Sequence, residues 1–245
     1  MKGIRAALLA LTQLCAVAAL AGTLVQFDTS VGQMVFELYD VEKPQTVGLF
    51  LNWLDQGNYG GTYIHRDTTN YLAQTGRYGV VDLGPPFGIR NIELPIAPNG
   101  SVPNEITNGN FIANTYGTIS MVPWGNGPGQ PNFVTSGFLF NFGANTNLDD
   151  PNFGGGFPVF GQLISGWDTF ALLKPTNGNP ALKITNFSET LSELPVRITA
   201  GNPLTYDDFI YVNMAVVPEP RVISLALAGA AALGWRWRHR RAKVQ

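Results

Sequence analysis

The sequence predicts a mainly β domain built from many short antiparallel strands, with about two helices. Short runs rich in β-branched and aromatic residues recur along residues 22–216, and Gly, Pro and Asn separate them. The 28 Gly and 17 Pro residues are typical of a chain with many turns. With 45% hydrophobic residues, the chain can bury a sizeable core. Many short strands favour a closed barrel or a sandwich.

The predicted elements follow one another along the chain. Residues 24–27 and 34–39 are predicted to form a hairpin, because turn-forming residues lie between them. Residues 43–57 are predicted to be helical, since Pro44 suits a first turn, apolar residues recur at a spacing of three or four, and Gly57 ends the pattern. A second helix is predicted over 167–173. The remaining candidate strands are 112–113, 118–122, 138–142, 159–164, 196–199 and 209–216.

The first 21 residues have the pattern of a secretory signal peptide. Lys2 and Arg5 precede an apolar run, and small residues at 19–21 suit cleavage before Gly22. Cys15, the single cysteine, lies within this segment, so cleavage would leave a chain without disulfides or thiol chemistry. An uncleaved membrane anchor is the alternative interpretation.

Residues 217–245 form a second terminal pattern. The motif Pro218-Glu219-Pro220 is followed by an apolar run over 222–235 and then by a cluster of basic residues. This order resembles the PEP-CTERM sorting signal with its short transmembrane helix. The resemblance implies a Gram-negative bacterium, an exosortase-type processing enzyme, transient anchoring in the inner membrane, and delivery to the cell envelope, cell surface or extracellular matrix. An ordinary tail anchor is the alternative.

The charge of residues 22–216 argues against several classes of function. The chain has 15 basic and 17 acidic residues; two basic residues lie in 1–21, and six basic and one acidic in 217–245, which leaves seven basic and 16 acidic. Such a surface repels phosphate backbones, so no nucleic-acid partner is expected. His65 is the one histidine between the two terminal segments, which argues against a zinc site. We therefore expect neither a metal nor a cofactor.

One stretch combines an arginine with aromatic, aliphatic and amide side chains, at residues 63–66 and 71–76. By itself, an arginine beside a strand is usually solvated or ion-paired. The order of the short motifs around it is more specific. These motifs are Gly57-x-Tyr59-x-Gly61-Thr62, His65-Arg66, Gln74-x-Gly76, Asn104-Glu105, Gly117-Thr118-Ile119-Ser120-Met121, Ser136-x-Phe138, Leu148-Asp149, Val159-Phe160-Gly161 and Gly166-Trp167-Asp168. This succession resembles the cyclophilins, which are peptidyl-prolyl cis–trans isomerases, over residues 25–216.

The resemblance implies a closed antiparallel eight-stranded β-barrel capped by two α-helices. It also implies an exported isomerase that acts on X–Pro bonds of envelope or extracellular proteins, with proline-containing polypeptides as its partners. Arg66 corresponds to the catalytic arginine, and His65 is expected to be structural. The substrate-binding residues implied by motif position are Tyr71, Leu72, Gln74, Leu139 and Leu148.

The sequence also departs from the family pattern. After Ser136 the family has Gln-Phe-Phe, whereas Gly137 and Leu139 here replace a substrate-contacting glutamine and an aromatic pocket wall. A pocket histidine of the family has no counterpart in residues 151–157. These losses support an alternative function, a catalytically weak or inactive cyclophilin-like binding or structural module displayed at the cell surface.

Overall fold

The computed structural model describes residues 22–218, apart from gaps at 84–88, 94–99, 108–110, 125–131, 175–179, 190 and 202. The predicted signal peptide and residues 219–245 lie outside the described part of the chain. Within the described residues, no helix has the length and apolar character needed to cross a membrane.

Short strands account for most of the regular structure. They are β1 (Leu24–Thr29), β2 (Gly32–Leu38), β3 (Arg66–Thr68), β4 (Leu72–Thr75), β5 (Tyr78–Asp82), β6 (Ile89–Glu93), β7 (Val102–Pro103), β8 (Thr118–Trp124), β9 (Phe133–Asn141), β10 (Val159–Ser165), β11 (Leu182–Thr185), β12 (Leu194–Arg197) and β13 (Val212–Val216). The helices are α1 (Pro44–Asp55) and α2 (Trp167–Leu172), and 3₁₀ turns cover Thr146–Asp149 and Tyr206–Asp208.

The main sheet is antiparallel and has nine strands. Its order is β13-β1-β2-β10-β8-β9-β4-β3, and β7 also pairs with β9. Near its two ends, Ile64 N–H donates to Ile210 O at 2.9 Å and Val212 N–H donates to Thr62 O at 3.0 Å, so the segments beside β3 and β13 meet. The mainly β prediction with two helices is confirmed, whereas a closed eight-stranded barrel is not shown.

Several predicted boundaries differ from the observed ones. Residues 112–113 are not a strand, because the backbone N–H of the next residue, Asn114, is bonded to Asp149 Oδ1 at 2.9 Å instead of to a neighbouring strand. The strand predicted over 209–216 begins only at Val212, and the one predicted over 196–199 is Leu194–Arg197. The hairpin turn is shorter than predicted, since Asp28 and Thr29 still belong to β1.

Aromatic rings fill the space between the sheet and α1. The ring of Phe27 lies 5.0 Å from that of Phe36 and 5.8 Å from that of Phe140 in edge contacts. Phe50 projects from α1 and packs edge-on against Phe138 at 5.5 Å. All five side chains are fully buried. This core fixes α1 against the sheet, whose strand order ends with the short strands β4 and β3.

A distant carboxylate caps the start of α1. Lys43, at the N-cap position, provides no side-chain cap. Instead, the buried Glu105 accepts hydrogen bonds from the backbone N–H of Thr46 at 2.7 Å and from its hydroxyl at 2.6 Å. The carboxylate thus satisfies donors that a helix N-terminus leaves free, and it suits the positive end of the helix dipole.

Candidate active site

Two residues of the predicted site lie side by side at the edge of the sheet. Strands β3 and β4 pair so that Arg66 stands opposite Gln74. The backbone N–H of His65 donates to Gln74 O at 3.0 Å, which extends the pairing by one residue. The tight connection between the strands therefore brings together two residues of the predicted site that are eight positions apart in sequence.

Arg66 and Gln74 line an open cavity of about 160 Å³. The other residues around it are His65, Thr75, Arg77, Tyr78, Val122 and Gly137. At Gly137, an added Cβ would meet only Val122, at an ordinary 3.6 Å, and the backbone is not in the left-handed region. The missing side chain therefore leaves room on the cavity wall.

The apolar residues predicted for the site form one cluster. Leu72, Leu139 and Leu148 are buried together, and Tyr71 packs against them while remaining partly exposed. Two partly exposed residues that the sequence analysis did not assign, Val122 and Phe157, complete the cluster. Val122 also lines the cavity beside Arg66, so the cluster and the cavity adjoin.

The two added residues had weak signals in the sequence. Val122 follows the Ser120-Met121 pair of the motif series, but it lies just outside that motif. Phe157 ends the segment in which the family's pocket histidine is missing, and its ring faces the leucine cluster. An aromatic side chain thus contributes to the apolar surface from that segment.

A buried network of amide side chains supports the cluster. Asn141 Nδ2 lies 3.0 Å from Asn114 Oδ1, and Asn141 Oδ1 accepts a 2.7 Å bond from Asn145 Nδ2. Asn145 also donates to the backbone oxygen of Tyr71 at 2.7 Å. The bonds connect β9, the residue before β4 and the 3₁₀ turn that carries Leu148. They therefore set the relative positions of Leu139, Tyr71 and Leu148.

The guanidinium of Arg66 is ion-paired. Its Nε lies 2.6 Å from Glu193 Oε2, and the two side chains are 43% and 38% exposed. The hydroxyl of Thr68 donates to the same carboxylate oxygen at 3.3 Å. Arg66 therefore combines the two properties that the sequence left as alternatives, since it is ion-paired and also lines the cavity.

The contacts of His65 agree with the structural role expected for it. Its buried ring lies 4.8 Å from the ring of Tyr78 in an edge contact. Burial, assisted by the charges of Arg77 and Arg66, lowers the pKa of His65 to about 3. The ring is consequently neutral near pH 7 and contributes packing at the back of the cavity.

Asp67, the residue after Arg66 in β3, carries a buried carboxyl. It is 2% exposed, and among the described residues neither of its oxygens has a hydrogen-bond partner. Burial, and then the negative charge of Glu193, raise the pKa of Asp67 well above its usual range. Across the described part of the chain, no group of three His, Cys, Asp or Glu side chains could hold a metal ion.

The state of Asp67 leads to a prediction about pH and stability. From the ordinary aspartate pKa of about 3.9 up to its raised value, the folded protein binds more protons at this site than the unfolded chain, so stability falls as pH rises. We expect Asp67→Asn to remove a slope of up to about 1.4 kcal/mol per pH unit. Urea unfolding of both proteins between pH 4 and 8 measures it.

Comparing wild type with Asp67→Asn also separates the effect of Asp67 on the pH dependence of stability from that of His65. The lowered pKa of His65 produces the opposite trend, in which stability is lost as pH falls below about 6.5. That contribution is common to both proteins and cancels in their difference. Parallel stability profiles for wild type and Asp67→Asn would contradict the prediction.

Comparison with known proteins identifies the family and supports the fold. The family model described as cyclophilin type peptidyl-prolyl cis–trans isomerase/CLD matches residues 24–188. A peptidyl-prolyl cis–trans isomerase of Acinetobacter baylyi is 31% identical over 150 residues, which are 61% of this chain and 71% of that protein. One from Streptomyces antibioticus is also 31% identical, over 61% of this chain and 82% of its own. Isomerase B of Escherichia coli is 29% identical over 62% and 84%.

A solved structure agrees at the level of the fold. The crystal structure of a cyclophilin type peptidyl-prolyl cis–trans isomerase of Cryptosporidium parvum, in the presence of the dipeptide Ala-Pro, covers 80% of this chain and 99% of its own. The TM-score is 0.51 at 20% sequence identity, a likeness that shows the fold alone. The family match covers well over half of the sequence, and this chain belongs to the cyclophilin-type peptidyl-prolyl cis–trans isomerase family.

Proposed function

We propose that this cyclophilin-type isomerase rotates X–Pro bonds at Arg66, and that it acts outside the cytoplasm on envelope or extracellular proteins. The observation that carries the catalytic part is the placement of Arg66 beside Gln74 on an open cavity that adjoins an apolar cluster. A proline substrate needs a polar and an apolar surface next to each other. One must hydrogen-bond to the amide, and the other must bind the proline ring.

The chemistry requires stabilisation of a twisted amide. Resonance gives the X–Pro bond a rotational barrier of about 18–20 kcal/mol. In the twisted state the proline nitrogen gains a lone pair, to which a guanidinium N–H of Arg66 can donate a hydrogen bond. Because this bond forms only as resonance is lost, it stabilises the transition state more than the ground state and so raises the rate.

The apolar cluster provides the place for the proline ring. Leu72, Leu139 and Leu148 form a buried floor, and Tyr71, Val122 and Phe157 remain partly exposed above it. Burial of a proline ring against these side chains removes apolar surface from water on both partners. Gln74, partly exposed on the same side as Arg66, is placed to hydrogen-bond the substrate backbone.

One observation favours the alternative of a weak or inactive binding module. The wall of the cavity at Gly137 offers no side chain, where the family has a glutamine that contacts substrate. Losing one hydrogen bond of this kind costs about 0.5–1.5 kcal/mol, or roughly 2- to 13-fold in kcat/KM. Such a loss weakens an isomerase without abolishing the role of Arg66.

The proposed location rests on the two terminal patterns of the sequence. The described domain occupies 22–218, between the predicted signal peptide and most of the predicted sorting segment. In this proposal the signal directs export, and the apolar run with its basic cluster holds the protein in the inner membrane until an exosortase-type enzyme processes it. The mature isomerase then reaches the cell surface or extracellular matrix of a Gram-negative bacterium.

Loss of the catalytic arginine should abolish most of the activity. We expect the purified protein to accelerate cis–trans exchange of an Ala-Pro peptide, and Arg66→Ala to lower kcat/KM by about 10²–10³-fold because a preorganised donor to the transition state is removed. Exchange NMR spectroscopy measures both rates. Arg197→Ala, at an exposed position, is the matched control. A folded wild-type protein without acceleration would refute catalysis and leave the binding module.

Restoring a side chain at residue 137 should improve catalysis. The space on the cavity wall accepts a Cβ at ordinary contact distance, so Gly137→Gln can place an amide beside Gln74. We expect kcat/KM to rise about 2- to 13-fold, as one new substrate hydrogen bond allows. Gly137→Ala, which adds the Cβ without the amide, should stay near wild type. Equal activity of all three proteins would contradict this role of the cavity wall.

Export can be tested by removing each terminal segment separately. In a Gram-negative host we expect the full chain in the envelope fraction, because basic residues precede an apolar run at its N-terminus. Deletion of residues 2–21 should retain the protein in the cytoplasm, and deletion of 219–245 should release it from the membrane fraction. Cell fractionation with immunoblotting measures each distribution. A full chain found only in the cytoplasm would refute the proposed location.

A further inference from the structure

We infer that Glu193 is the positioning residue for Arg66: it anchors the guanidinium through Nε and thereby aims the remaining N–H groups at the substrate. This inference rests on the proposed catalytic role of Arg66. It adds a residue that lies outside the family match, which ends at residue 188.

The contact is directional. Glu193 Oε2 accepts at 2.6 Å from Arg66 Nε, the inner nitrogen of the guanidinium. A guanidinium is planar and carries five N–H donors in a fixed geometry. Fixing Nε therefore sets the orientation of the plane and leaves the four outer N–H donors for other partners. The bond from the Thr68 hydroxyl to the same carboxylate oxygen, at 3.3 Å, restrains the carboxylate from a second side.

The backbone holds Glu193 in place. The N–H of Asp67, next to Arg66, donates to the backbone oxygen of Glu193 at 2.8 Å. On either side of Glu193, Leu191 and Leu194 are buried in a second apolar cluster together with Tyr63. The carboxylate thus extends from an anchored segment directly beside β3, and its position relative to Arg66 is fixed by main-chain bonds as well as by the ion pair.

Stability alone does not explain the pair. Both side chains are about 40% exposed, and exposed ion pairs contribute about 0–1 kcal/mol to folding. Gln74 stands opposite Arg66 and lines the same cavity, yet within the described residues the guanidinium donates its hydrogen bond to Glu193. Among the described side chains, Glu193 is therefore the hydrogen-bond partner that orients the guanidinium of Arg66.

The test compares three variants in two measurements. Glu193→Ala removes the anchor, Glu193→Gln keeps an acceptor oxygen without the charge, and Glu189→Ala makes the same charge change at an exposed carboxylate nearby. Peptide exchange NMR gives kcat and KM. Independently of activity, ¹⁵N–¹H NMR reports how fast the Arg66 Nε–H proton exchanges with water, which a bond to Glu193 should slow.

Positioning predicts a specific set of results. Glu193→Ala should lower kcat about 10-fold with KM nearly unchanged, because the affected hydrogen bond forms only in the transition state. Glu193→Gln should recover most of this loss, and Glu189→Ala should match wild type. The Arg66 Nε–H proton should be protected in wild type and Glu189→Ala, and unprotected in Glu193→Ala.

The two measurements also separate this inference from the proposed function. If wild type shows no acceleration, catalysis is refuted, while protection of the Arg66 proton that depends on Glu193 still supports positioning. If Glu193→Ala keeps full kcat, or if the proton is equally exposed in wild type and Glu193→Ala, positioning is overturned while the activity of Arg66 stands.

Discussion

The arrangement of the site depends on the buried side chain of Asn141. This residue ends β9, is fully buried, and has its Nδ2 within 3.1 Å of acceptors on Asn114, Thr118 and Ser120. Its Oδ1 accepts from Asn145, which continues the network to the 3₁₀ turn. A buried polar group left without a partner costs about 1–3 kcal/mol, so a shift of any of these segments would be penalised several times over. The network therefore fixes the register on which the pocket leucines depend.

In the polar half of the site, a partly exposed ion pair lies next to a buried carboxyl group in the chain. Arg66 and Glu193 remain partly exposed and paired, while Asp67, which follows Arg66 in β3, is buried, and its carboxyl has no hydrogen-bond partner among the described residues. Burial, and then the negative charge of Glu193, raise the pKa of Asp67, whereas the carboxylate of Glu193 contacts Arg66 at 2.6 Å. Burying the carboxyl of Asp67 without a hydrogen bond costs folding free energy, and this residue is the neighbour of Arg66, on which the proposed chemistry depends.

Features that depend on residues close together in sequence could be predicted, whereas contacts between residues far apart in sequence could not. The helix α1 and the hairpin β1–β2 follow from local patterns, and the motif order placed Arg66, Gln74 and the pocket leucines in one site. Local patterns could not indicate Glu193, because its partner Arg66 is 127 positions away. They also gave a wrong prediction at 112–113, where a strand was expected. The backbone N–H and the side chain of the next residue, Asn114, bond to Asp149 instead of to a neighbouring strand. Strands of two to five residues, such as β5 and β7, offer too few residues for a pattern.

In the proposed mechanism, Gly137 and Phe157 affect the binding of substrate, whereas Arg66 acts on the rotating amide. A glutamine that contacts the substrate backbone binds ground state and transition state alike, so its absence raises KM and leaves kcat largely unchanged. Phe157 adds partly exposed apolar surface next to the leucine cluster, where the proline ring would bind in this proposal. If Arg66 acts on the twisted amide as proposed, the missing glutamine would weaken the binding of substrate and leave turnover largely unchanged. Such an enzyme works best where its substrates are concentrated, a condition that an exported protein confined with its clients at a surface would meet.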